Sequence, residues 1–262
     1  KLNIKKNIKL LLMNEKNSII HKYHKIKYFI LCGGKCGGST LRNSINVNIN
    51  CAHFHGNYVV GLKNVYPSLN HDINDKLINV YDMINYNKDY HNRIFVIDCY
   101  RNPIERSISA FFQNISIHLP NYENIDVARL INIFNSKYIK NENYHPINNM
   151  MFDFGLRNFD SFDFKKKYNL LRKNNIYFIK IRFDDIHEWE DILSNVLSRE
   201  IKIKNENLTI NKGISNLYKE FKKEYKIPLK NLEEFMNDTE FNIYNDKSEK
   251  ERYYKYWLNK SI

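Results

Sequence analysis

Half of the chain's eight glycines lie in one six-residue stretch, Gly33 to Gly38, directly after the apolar run Ile30-Leu31-Cys32 and directly before Ser39-Thr40-Leu41. Glycine has no side chain to bury and lets backbone N–H groups turn inward around an anion. With a strand before it and a helix starting near Ser39 after it, the stretch reads as a phosphate-binding loop whose donors are extended by the helix N-terminus. It differs from the nucleoside-triphosphatase loop. The pattern GxxxxGK[ST] requires lysine after the last glycine, where this chain has Ser39, and the lysine present, Lys35, lies inside the loop. A lysine so placed reaches the bridging oxygen of a bound anhydride without implying a metal. The competing reading is a glycine-rich turn with a surface lysine.

A strand–loop–helix unit implies an α/β architecture, and other runs supply its sheet. Strands are expected over Lys27–Cys32, Val47–Phe54, Arg93–Tyr100 and Ile176–Phe183. The continuous runs Ile94–Ile97 and Tyr177–Ile181 fit strands buried on both faces, as in a parallel sheet covered by helices. Asn102-Pro103 supplies a cap and a helix-compatible proline, after which Ile104, Ile108, Phe111, Phe112 and Ile115 repeat at helical spacing. From Asn205 onward the chain reads mainly as helices. Leu217, Phe221 and Tyr225 form one stripe, and Tyr253, Tyr256 and Trp257 are read as core. With 262 residues, 43% of them hydrophobic, the chain can bury a core of this size, and disorder is excluded. No repeat or linker divides it. The expected layout is a basic, helical segment over residues 1–26 and a single domain over residues 27–262. That domain is α/β in three layers, with a central, mainly parallel sheet flanked by helices and a helical C-terminal part.

A second candidate grip follows the third expected strand, in Cys99-Tyr100-Arg101-Asn102-Pro103. An arginine at a strand's C-terminal end faces the crevice where α/β sheets bind ligands, and a guanidinium forks onto a phosphate. Ser109, two turns into the next helix, adds a hydroxyl. Taken singly, Arg101 also fits a structural ion pair and Ser109 a helix surface. Together the two segments resemble the sulfotransferases that use 3′-phosphoadenosine-5′-phosphosulfate (PAPS). That family pairs a glycine-bearing lysine loop after strand one, here Gly34-Lys35-Cys36-Gly37-Gly38-Ser39-Thr40-Leu41, with an Arg-x-Pro helix carrying serine eight residues after the arginine. The resemblance implies a P-loop-like fold, with Gly34, Lys35, Cys36, Gly37, Gly38, Ser39 and Thr40 around the 5′-phosphosulfate and Arg101 and Ser109 on the 3′-phosphate. Ile179–Ile186 is similar to the family's later strand with its Arg-aromatic-acid-acid ending. Asn211-Lys212-Gly213 is similar to its late basic loop, which adds Lys212 and Gly213 near the 3′-phosphate, although the arginine often found before Lys-Gly is missing here. Asp153, Phe154 and the aromatic C-terminal helix resemble bacterial capsule-type members.

Sulfuryl transfer needs a base for the acceptor proton, in-line approach to sulfur, and stabilisation of the departing phosphate. Histidine suits the first task because its unperturbed pKa of about 6.5 is near neutrality. In Cys51-Ala52-His53-Phe54-His55-Gly56 the two histidines alternate along a strand and share a face. Some polysaccharide 2-O-sulfotransferases place a His-x-His pair here with the second as base. The resemblance therefore implies His55 as base, His53 as the second choice, Lys35 as the group that stabilises the leaving 3′,5′-adenosine bisphosphate (PAP), a carbohydrate or other hydroxyl acceptor, and no metal. Core packing is the alternative for both histidines. His118 and His145 lie in loop-like stretches with no spacing argument behind them, and Glu105 is either another base or the orienter of a nearby arginine.

Two other functions compete: a P-loop-type kinase, with Asp98 as a magnesium ligand, and a non-catalytic nucleic-acid-binding protein, motivated by a formal net charge of +12 and abundant Tyr and Phe. The charge is unevenly placed. Residues 1–27 hold eight lysines and one glutamate, so the other 235 residues carry only five of the twelve net charges. Nucleic acid is thus not the expected partner, and the basic N-terminus suits an acceptor or a membrane surface. Cys32, Cys36, Cys51 and Cys99 lie on or beside apolar runs at spacings unlike a zinc site, and read as small buried residues in a reducing compartment. With no apolar stretch of 18 residues, a cytoplasmic location is expected, or the Golgi lumen if an anchor has been removed ahead of Lys1.

Overall fold

The computed structural model describes residues 26–45, 51–54, 80–139, 146–204 and 214–262. All but the last residue of the expected N-terminal helix, and Val47–Asn50 of the expected second strand, lie outside the described residues. Five strands form one sheet in the order β2-β1-β3-β5-β4: β1 (Tyr28–Leu31), β2 (Cys51–Phe54), β3 (Ile94–Tyr100), β4 (Tyr168–Lys173) and β5 (Ile176–Arg182). All neighbours run parallel except β4, which is an antiparallel edge closed onto β5 by a tight turn at Asn174, φ +55°. Asparagine tolerates that left-handed conformation.

The described helices are α1 (Gly38–Ile45), α2 (Val80–Asn87), α3 (Pro103–Gln113), α4 (Ile115–His118), α5 (Val127–Lys137), α6 (Pro146–Asp153), α7 (Trp189–Leu197), α8 (Ser215–Glu224), α9 (Leu229–Met236), α10 (Thr239–Tyr244) and α11 (Lys247–Leu258). Every residue of β3 is buried, because the sheet is covered on both faces. On one face Leu41 and Ile45 of α1 and Trp189 and Leu193 of α7 meet Ile30, Ile97 and Ile179. On the other, Met83 and Ile84 of α2 and Ile147 and Met151 of α6 meet Phe29, Val96 and Phe178. Full burial stabilises each such side chain by about 1.5–3 kcal/mol, which is what makes a continuous apolar run a strand of this kind. The three-layer α/β arrangement is as expected, with Phe183 outside β5 and starting a 3-10 turn (Phe183–Glu188).

A third core gathers α3, α5, α8, α9 and α11 around Ile108, Phe112, Phe134, Phe221, Tyr225 and Trp257. Leu217 packs against it, as the stripe predicts. Tyr256 does not: it is 52% exposed while Trp257 is buried. Tyr253 and Trp257, four residues apart, share one helix face and Tyr256 is rotated off it.

Buried polar contacts fix this helical part to the sheet. Lys180, in the middle of β5, is 1% exposed and lies 3.0 Å from both Asp98 of β3 and Glu240 of α10. Burial alone would pull its ammonium down, but the two carboxylates outweigh that and hold it above its ordinary value. Arg182 forks onto Asp185 at 2.7 and 2.9 Å and reaches Glu249 of α11 at 2.7 Å.

The topology also says where a ligand belongs. From β1 the sheet grows one way to β2 and the other way to β3, so the order reverses between β1 and β3. In open α/β sheets the crevice beyond the carboxyl ends of the strands at such a reversal is the binding position. No helix among the described residues is long and apolar enough to cross a membrane.

Candidate anion-binding site at the sheet reversal

The glycine-rich loop leaves β1 at that crevice. Lys35 (φ +68°) and Gly37 (φ +85°) are both left-handed, alternating with residues that are not, and Cys36 N–H turns back toward the Gly33 carbonyl at 3.4 Å. Alternation of this kind turns successive N–H groups toward one concave side, the geometry of an anion nest. α1 follows at once, its Leu41 N–H bonding the Gly37 carbonyl at 3.0 Å. The amides of its first turn, including those of Ser39 and Thr40, have no carbonyl within the helix to bond. They add to the same concavity. Cys36 is buried beneath the loop, and burial pushes its thiol up to about 11.

Two of the glycines are there for the walls. A Cβ on Gly37 would come within 2.7 Å of Trp189 Cη2 and 3.2 Å of Phe183 Cδ2, and one on Gly38 within 2.1 Å of His53 Nε2. Phe183, Trp189 and the His53 imidazole therefore close directly on the loop, and His53 sits at the first turn of α1. Gly34 differs, since a Cβ there meets only open space. His55, Lys212, Gly213 and His145 lie outside the described residues.

Arg101 joins the two sides of the crevice. Its Nη1 donates to the Lys35 carbonyl at 2.8 Å, its guanidinium lies 4.3 Å from the Phe183 ring centroid, and its Nε is buried with no partner among the described residues. Ser109 is buried in α3 rather than on its surface. No family model matches the chain, and no curated protein or solved structure does. Function therefore has to come from the residues of the site.

Three sequence expectations change here. Asn102 does not cap α3 with its side chain: it donates to Asp184 at 2.7 Å and accepts from Tyr100 and Asn245 at 3.1 Å each, so the helix starts on Pro103 alone. Glu105 makes no hydrogen bond to an arginine among the described residues and feels Arg101 through charge alone; it accepts a 2.8 Å bond from Tyr253 of α11, and burial pushes its carboxyl up. Asp98 spends one oxygen on Lys180 at 3.0 Å and the other on the Cys99 N–H at 2.7 Å, which commits it to the fold. Sequence reading missed the walls, Phe183 and Trp189. It gave His118 no spacing argument, yet His118 lines a cavity of about 400 Å³ with Gly33, Gly34, Arg106 and Lys137.

Proposed function

We propose that the chain is a sulfotransferase of P-loop-like fold that moves a sulfuryl group from PAPS to an acceptor hydroxyl, most simply one on a carbohydrate. The observation that carries the reading is the lysine-bearing nest at the sheet reversal, hydrogen-bonded through its Lys35 carbonyl to Arg101. A ligand with phosphate groups at both ends needs anion grips a few ångströms apart and fixed relative to each other. The loop with the α1 amides is one, and Arg101 with Ser109 is the other. The buried Nε of Arg101, which has no partner among the described residues, fits such a ligand, since a buried donor without an acceptor is costly until something supplies one.

In this reading the loop amides and Lys35 stabilise the charge that develops on the bridging oxygen as the sulfur–oxygen bond breaks. The acceptor oxygen attacks sulfur from the opposite side. Its proton goes to His55, with His53, packed on Gly38, positioning the strand end from which His55 follows. Lys212 and Gly213 would complete the 3′-phosphate grip. A kinase fits less well, because Asp98 is held by Lys180 and Ser39 stands where the triphosphatase lysine would be. A labelled-sulfate transfer assay read by mass spectrometry over a glycan panel tests the proposal. Lys35→Ala should lower turnover by about a hundredfold or more with the melting temperature unchanged, and near-normal turnover in that variant would reject the assignment.

A further inference from the structure

The edge of the sheet opposite the glycine-rich loop carries a row of cations. Tyr28, Phe95 and Tyr177 lie at the amino ends of β1, β3 and β5, in register with one another and with Arg172 of β4. In-register neighbours share a face, so the rings form one ladder, with centroids 5.4 Å apart at each step. Four cations sit over it. Lys27 Nζ is 5.4 Å from the Tyr28 centroid, Arg93 and Arg172 are 5.8 and 5.2 Å from that of Tyr177, and Arg199 is 4.7 Å from that of Tyr28. Arg199 arrives there because Ser198, at φ +53°, turns the chain at the end of α7. The rings hold these groups in place without cancelling their charge. No ion pair among the described residues involves any of the four. Burial, with repulsion from Arg199 and Arg93, holds the Lys27 ammonium below its ordinary value. A hollow of about 500 Å³ is lined here by Lys27, Arg93, Asn92 and Ser198, with the 53% exposed Tyr90 in its wall and no carboxylate among the described residues.

The chain enters the sheet at this edge. Residues 1–26, which run straight into Lys27, hold seven lysines and one glutamate around the apolar stretch Leu10-Leu11-Leu12-Met13, a feature that sulfotransfer leaves unused. We propose that the amino-end edge of the sheet is a docking surface for an anionic lipid membrane, its cations meeting the headgroups while the upstream segment adds apolar contact. A nucleic acid or a soluble polyanion would answer the charge but has no use for four consecutive apolar residues among lysines, whereas a lipid surface takes both. Tyrosine suits the headgroup level, where its ring and hydroxyl meet different surroundings. Guanidiniums already fixed on rings lose little freedom when they fork onto phosphate. Docked this way, the chain turns the loop and Arg101, at the carboxyl ends of the strands, away from the lipid. The inference is independent of the sulfotransfer reading.

The test sediments the full chain with vesicles of phosphatidylcholine alone and of phosphatidylcholine with about 30% phosphatidylserine. Partition onto the anionic vesicles should be about tenfold stronger or more, and added salt should weaken it. The double variant Arg93→Glu/Arg172→Glu should lose about tenfold or more of that partition with its melting temperature unchanged, because both side chains are exposed. A second measurement does not depend on that variant. All four cysteines are buried, so Asn92→Cys takes an environment-sensitive fluorophore selectively, and its emission should shift to the blue on anionic vesicles alone. Equal sedimentation with both vesicles, or undiminished binding of the double variant, overturns the inference. So does an unshifted label on vesicle-bound chain, which would leave the membrane to residues 1–26. Tighter binding of a single-stranded DNA oligonucleotide than of the anionic vesicles, lost in the same double variant, would give the edge to nucleic acid and overturns it as well.

Discussion

Arg182 ends β5 and Arg101 follows β3 directly, so two guanidiniums stand at the same edge of the sheet on neighbouring strands, Tyr100 being in register with Arg182. Their surroundings differ in kind. Arg182 is buried among carboxylates, forked onto Asp185 and bonded to Glu249, with the Tyr244 carbonyl at 3.1 Å. Arg101 gives its hydrogen bond to a neutral carbonyl and its face to a ring, and keeps a buried N–H without a partner among the described residues. A cation whose charge is already matched is part of the scaffold. One that feels Glu105 and Asp184 only through charge, with no ion pair among the described residues, is pre-positioned for a charge that arrives with a ligand.

Breaking the scaffold side should cost the most. Lys180→Met leaves Asp98 and Glu240 buried without their cation, and removing one partner of a buried pair typically costs about 3–5 kcal/mol. Chemical denaturation should register that loss, while Arg101→Ala should cost about 1 kcal/mol, one hydrogen bond to a carbonyl. Equal losses would erase the distinction. Gly37→Ala should fall between them, at about 2 kcal/mol, because alanine is strained at φ +85° and its Cβ meets Trp189; the same variant should lose nucleotide binding through a displaced loop. The smallest effect concerns pH. Burial raises the folded-state pKa of Glu105 above its ordinary 4.5, so its ionised form burdens the fold at neutral pH and the burden lifts as pH falls through the raised value toward 4.5. Glu105→Gln should therefore show its greatest relative stability against the unaltered chain near pH 7 and lose that advantage toward pH 4.5. An advantage that grows on acidification would contradict the assigned direction.

The contrast between the arginines was only half legible in the sequence. β1, β3 and β5 announce themselves because strands covered on both faces need unbroken apolar runs, and the loop and Arg101 sit in contiguous motifs. β4 does not: as an edge strand it carries Asn169, Arg172 and Lys173 and has a single buried position, Asn169, which leaves no apolar period to read. Lys180 looks like any other lysine in a lysine-rich chain until the fold brings Asp98 and Glu240 to it. Nor does the sequence say which arginine is neutralised, since Asp185 is three residues from Arg182 but Glu249 comes from the far end of the chain. The hollow beside the loop was out of reach for the same reason, because Arg106, His118 and Lys137 share no spacing and meet only through the packing of α3, α4 and α5.

The central claim is that the nest and Arg101 together grip a nucleotide phosphorylated at its 3′ and 5′ positions. Calorimetric titration of PAP into the unaltered chain and into Arg101→Ala tests it most directly. We predict micromolar or tighter binding to the unaltered chain that needs no magnesium, no comparable binding of ATP with magnesium, and a loss of about tenfold or more in Arg101→Ala. Equal PAP affinity in the two proteins, or tighter binding of ATP with magnesium than of PAP, would contradict it.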